Sequence, residues 1–187
     1  MPSPQSRPPA LPSFDDVLAF WFANPTRWWR KDPTFDAEIS DRFLALHDSL
    51  DRGEREDWLE TVRGTLAYVI VLDQLSRNMF RGTARMFASD ARARAAAQHA
   101  LDRGDDHALS TEERTFLYMP LMHSEDVADQ DRCVALFMSA ASDQLRFAEQ
   151  HRGIIRRFGR FPHRNALLGR ESTPEEQEFL MQPGSSF

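Results

Sequence analysis

Phe35-Asp36-Ala37-Glu38-Ile39-Ser40-Asp41-Arg42-Phe43-Leu44-Ala45-Leu46-His47-Asp48-Ser49-Leu50 carries Phe35, Ile39, Phe43, Leu46 and Leu50 at three- and four-residue spacing. At 3.6 residues per turn these five side chains form one apolar stripe, so the stretch predicts a helix of about five turns, ending near Gly53. The same period recurs on either side. Val62, Leu66, Val69 and Ile70 give the stripe of a helix from Thr61 towards Phe80. Another helix runs from about Asp90 to Gly104, a residue suited to a left-handed C-terminal cap. Two more cover roughly residues 125–141 and 143–158.

Helix starts are marked as clearly as the stripes. Ser13 with Asp16, Ser110 with Glu113, and Thr173 with Glu176 each have the spacing of a capping box, and Pro174 occupies the first helical position of the last. Pro120 interrupts the helix that Ser110 opens, and Ser124 is the N-cap expected for the next. No period-2 strand and no solenoid-length repeat is evident. The expectation is an all-α fold of about eight helices in antiparallel hairpins.

A chain of 187 residues at 41% hydrophobic, with 14 Phe and 4 Trp, supports one sizeable core. We expect a flexible segment over residues 1–12 and a single helical domain over 13–187. The start lacks a signal peptide, and no run approaches the roughly 20 apolar residues of a membrane span, so a cytoplasmic protein without membrane contact is expected. The single cysteine, Cys133, excludes an internal disulfide and fits a reducing compartment; its helical setting reads as packing.

The formal charge of −6 is unevenly spread, because seven arginines between Arg146 and Arg170 face the single acid Glu149. Such a block allows an anion-binding surface, although Arg is this chain's default cation and Lys31 its only lysine. Nucleic acid is the weaker option for so acidic a chain.

Three polar motifs break into the apolar pattern: Asp73-Gln74-Leu75-Ser76-Arg77-Asn78, His123-Ser124-Glu125-Asp126, and Gly159-Arg160-Phe161-Pro162-His163-Arg164-Asn165. Polar groups on apolar faces need partners, so each motif is either a structural network or part of a site. Asp73, Arg77 and Arg81 fall on one helical face at four-residue steps, with Gln74 and Asn78 beside them. Asp126, Gln130, Cys133 and Phe137 share a stripe facing the core. Gly159 and Pro162 predict a tight reversal and then a helix start whose free N–H groups would receive an anion beside His163 and Arg164. His151, in a stripe with Phe147, Ile154, Ile155 and Phe158, reads as a satisfied core histidine. No histidines or acids have metal-ligand spacing on one helix, and phosphate-loop and dinucleotide patterns are missing; neither a metal nor a cofactor is expected.

Several motifs carry a resemblance together. Phe20-Trp21-Phe22, Trp28-Trp29, Asp73-Gln74 with Arg77-Asn78 and Phe80-Arg81-Gly82, Tyr118-Met119-Pro120 with His123-Ser124-Glu125, the 159–165 turn and the closing Pro183-Gly184-Ser185-Ser186-Phe187 resemble the bacterial domain-of-unknown-function family numbered 924. That resemblance covers nearly the whole chain and implies a helical fold similar to tetratricopeptide-repeat proteins; it implies no activity. Leu75 departs from it where an aromatic is usual.

Two functions follow from the motifs. One is a binding module whose groove holds a small anionic ligand or an acidic peptide, or otherwise meets a protein partner, through Arg77, Asn78, Arg81, His163, Arg164 and Asn165. The other is an enzyme in which His123 or His163 moves a proton beside Asp73 or Glu125. Both require the three motifs to converge. Purely structural polar networks are the third reading. Neither the oligomeric state nor a substrate follows from these residues.

Overall fold

The computed structural model describes residues 10–186, which contain eight helices and no strand. Residues 1–9, most of the expected flexible segment, and Phe187 of the closing motif lie outside the described residues. The helices are α1 (Phe14–Phe22), α2 (Pro33–Asp51), α3 (62–79), α4 (Asp90–Arg103), α5 (Thr111–Met122), α6 (Val127–Ser139), α7 (Leu145–Phe158) and α8 (Pro174–Leu180).

All three capping boxes form, with the Ser13, Ser110 and Thr173 hydroxyls each accepting the N–H three residues on. The apolar stripe of residues 35–50 lies on α2, and Phe35, Ile39, Phe43, Leu46 and Leu50 are fully buried. Gly104 ends α4 at φ 75°, in the left-handed region.

Helix α3 is the centre of the fold and packs against α1, α2, α4 and α5. Its residues 64–76 are all buried, so it has no solvent face over that span. The expected stripe understated it: an apolar run interrupted by small residues buries all round. Gly64 is required at its start, because a Cβ there would collide with the Trp58 carbonyl oxygen. Midway, residues Ile70–Leu75 widen into a π-helical turn, with the Ser76 N–H reaching the Val71 carbonyl. Turns of this kind are frequent at functional sites. Here the Ser76 hydroxyl donates to the Leu72 carbonyl at 2.7 Å and lies 2.8 Å from His47 Nε2 of α2, which holds the wide turn open.

Four local expectations differ from what forms. Helix α5 continues through Pro120 to Met122, because buried neighbours on every side hold the last turn together. The N-cap of α6 is Asp126 and not Ser124: the Asp126 carboxylate accepts the Ala128 and Asp129 N–H groups, which draws it outward while Gln130, Cys133 and Phe137 face the core. Helix α3 ends at Met79, so Arg81 leaves the Asp73–Arg77 face and turns to Asp36 of α2 at 2.7 Å. After Gly159 the chain makes only a single 3-10 turn, Pro162–Arg164, because Arg170 and Glu125 gather the backbone there into a closed corner.

A candidate anion site between the three motifs

The wide turn of α3 aims Asp73 into the protein interior, where it is fully buried. Three donors surround its carboxylate. His123 Nδ1, at the end of α5, lies 2.8 and 3.0 Å from its two oxygens; Arg77 Nη1 is 3.2 Å away; and Gln74 Nε2 donates at 2.6 Å. Burial works against the Asp73 charge, but Arg77 and then His123 outweigh it and hold the carboxyl well below its usual range. An ionised carboxylate only accepts, so a neutral His123 carries its proton on Nδ1 and leaves Nε2 as an acceptor. Burial first, and then the Arg77 charge, push the His123 imidazole below its ordinary value despite Asp73, so the ring is neutral at pH 7.

Asp90, the first residue of α4, extends the cluster. It binds Arg77 through both oxygens, at 2.9 and 3.0 Å, and reaches Arg164 Nη1 at 3.4 Å. Arg164 Nη2 also donates to the His123 carbonyl at 3.0 Å, and its guanidinium lies between the rings of Phe87 and Phe161, 4.6 and 4.5 Å from their centroids. Among the described residues no hydrogen-bond partner meets its buried Nε. Burial, and next the nearby Arg77, lower the Arg164 pKa to about 10. One residue or more from each polar motif therefore meets here: Asp73 and Arg77 from the first, His123 from the second, Arg164 from the third.

The cluster opens on a cleft of about 470 Å³ lined by Phe87, Asp90, Arg94, His123, Arg164 and Leu168 among others. That size is ordinary for a small-molecule site. Arg94 Nη1 donates to the Ser124 hydroxyl at 2.9 Å, and its Nε lies 3.5 Å from Asp129.

The remaining candidates, Glu125 apart, are placed elsewhere. Asn78 and Arg81 both bind Asp36, at 2.7 Å each. Asn165 joins Arg170, Ser172 and Glu176 at the corner before α8, at 2.9, 3.0 and 3.3 Å. Glu125 lines the cleft but is committed to Arg170 at 2.7 and 3.0 Å and to the Phe161 N–H at 2.8 Å. His163 packs against Phe161, with ring centroids 5.6 Å apart, and burial lowers its pKa to about 4. His151 is buried, bonded to the Phe147 carbonyl at 2.7 Å, and its ring lies 6.3 Å from His123. Asp90, Phe87 and Arg94 escaped the sequence reading, since a helix-start aspartate and a surface-helix arginine carry no signal beyond capping and solubility. Among the described residues, no three His, Cys, Asp or Glu side chains are grouped to hold a metal ion, and no helix is long and apolar enough to cross a membrane.

Fold and cluster together define an all-helical protein with a buried Asp–His–Arg network opening on a polar cleft. Within that class the chain belongs to the family described as bacterial proteins of unknown function, DUF924, whose pattern matches residues 17–184. It is similar to a solved protein of unknown function from Agrobacterium tumefaciens, at 46% identity and a TM-score of 0.87, over 90% of this chain and 96% of that one. No curated protein matches the chain. Neither the family nor the solved relative has an assigned activity, so function rests on the cleft.

Proposed function

We propose that this protein is a binding module for a small anion, held in the cleft by Arg164 and Arg94 beside His123. The observation that carries this reading is Arg164. Its guanidinium is buried at the cleft wall, and its nearest carboxylate, Asp90, lies 3.4 Å away and is already paired in bidentate fashion with Arg77. A buried cation with so long an ion contact is poorly matched, and because Arg164 lines the cleft an anion there adds a closer charged acceptor. The size of the cleft favours a small ligand over an acidic peptide. The site draws on residues from 73 to 164, which supports treating 13–187 as one domain. The lone buried Cys133 suits a reducing bacterial cytoplasm.

The test is thermal unfolding with acetate, benzoate and inorganic phosphate at constant ionic strength. An anion at 100 times its dissociation constant stabilises the fold by about 2.7 kcal/mol. The wild type gains this shift, whereas Arg164→Ala and the more exposed Arg94→Ala lose it. No shift in the wild type contradicts the reading.

A second reading, catalysis, is favoured by one specific feature: Asp73 holds the His123 proton on Nδ1 and leaves Nε2 as the proton-accepting nitrogen. If the bound anion is turned over, His123→Gln lowers the rate about 10²–10⁴-fold. A pure binding module shows only a modest affinity change.

A further inference from the structure

The lining of the cleft has two chemistries. Arg94, His123 and Arg164 are polar, while Ala84, Phe87 and Leu168 are apolar. They meet at Phe87, whose ring lies 4.6 Å from the Arg164 guanidinium. A spherical inorganic anion would use the first set and leave the second against water.

Charge narrows the class further. Around the cleft four guanidiniums, Arg77, Arg94, Arg164 and Arg170, are met by four carboxylates, Asp73, Asp129, Asp90 and Glu125, through the contacts at 3.2, 3.5, 3.4 and 2.7 Å. The site is thus balanced before any ligand enters. One added negative charge is offset when His123, the neutral titratable group in the lining, takes up a proton. A second would stand uncompensated among Asp90 and Glu125, which line the same space.

We infer that the ligand is a monocarboxylate with an apolar body, its carboxylate at Arg94, Arg164 and His123 and its body on Phe87 and Leu168. This inference rests on the anion site proposed above and names the substrate class of that site. A planar carboxylate suits the forked donors of arginine, and Phe87 and Leu168 give affinity that grows with the length of the body.

Titration calorimetry separates the possibilities, using acetate, butyrate, benzoate, 3-phenylpropionate, inorganic phosphate and phenyl phosphate at one ionic strength and pH 7.5. Affinity rises about fourfold per buried methylene along the carboxylates, and benzoate binds more tightly than phenyl phosphate. Leu168→Ala, at a half-exposed position that leaves the fold intact, flattens the chain-length dependence while acetate binding is kept; Phe87→Ala does the same more strongly. Equal affinity for acetate and 3-phenylpropionate, or tighter binding of phenyl phosphate than of benzoate, overturns the inference. Binding that ignores the body yet is lost in Arg94→Ala overturns it and leaves the anion site standing. No binding by any of the six overturns both.

Discussion

Replacing Asp73 by Asn removes the charge on which the cluster is built while keeping its volume. Asp73 accepts from His123 Nδ1, Arg77 Nη1 and Gln74 Nε2, all within 3.2 Å, and has no exposure to water. The new amide group must point a donor at one of these three donors, and Arg77 keeps only Asp90 as a charge partner. Breaking a buried ion pair from one side costs about 3–5 kcal/mol. The lower end applies, because the bidentate Asp90 contact remains. For a chain of this size about 3 kcal/mol corresponds to a fall in Tm of about 6–12 °C, measured by calorimetry at pH 7. Arg77→Met should cost a similar amount. The double variant should cost less than the two together, because each single change strands the other's charge. The pH dependence has a definite sign. The folded Asp73 carboxyl lies below its unfolded value, so its contribution is complete above the ordinary carboxylate range and is lost as the pH falls through it. An Asp73→Asn protein within 1 °C of wild type, or additive single losses, would refute the idea that Asp73 anchors the network.

His151 and His163 have pKa values lowered to about 3 and about 4, chiefly by burial, so the unfolded chain takes up protons that the fold resists. Stability should therefore fall by about 1.4 kcal/mol per pH unit for each histidine between roughly pH 6 and 4, and urea midpoints across that range check it. Cys133 is buried with its thiol pushed up to about 12, so a thiol-reactive dye should label it only after unfolding; prompt labelling of the native protein would contradict its packing. Ser110→Ala, which removes the α5 capping box, should cost about 1 kcal/mol by denaturant titration and leave anion binding unchanged.

The fold was legible in the sequence to the extent that side chains repeat with the helical period. The stripe of α2, the three capping boxes and the Gly104 cap are local codes, and each forms. The π-helical turn at residues 70–75 was not legible, because it depends on Ser76 and on His47 from another helix. Some residues of the polar motifs meet in the cluster and others do not. Asn78, Arg81 and Asn165 stand beside Arg77 and Arg164 in sequence, yet Asp36, Arg170 and Glu176 hold them in separate networks. Asp90 shows the converse. Its role comes from two arginines brought from 13 and 74 residues away, and nothing in its own neighbourhood announces that.

The most direct measurement is a crystal structure grown with 4-bromobenzoate, in which the anomalous signal of bromine locates the ligand. One strong bromine peak is expected in the cleft near Phe87 and Leu168, with the carboxylate within hydrogen-bond distance of Arg94, Arg164 or His123. Bromine bound only elsewhere on the surface, with the cleft holding no ligand at saturating concentration, would contradict the proposed site.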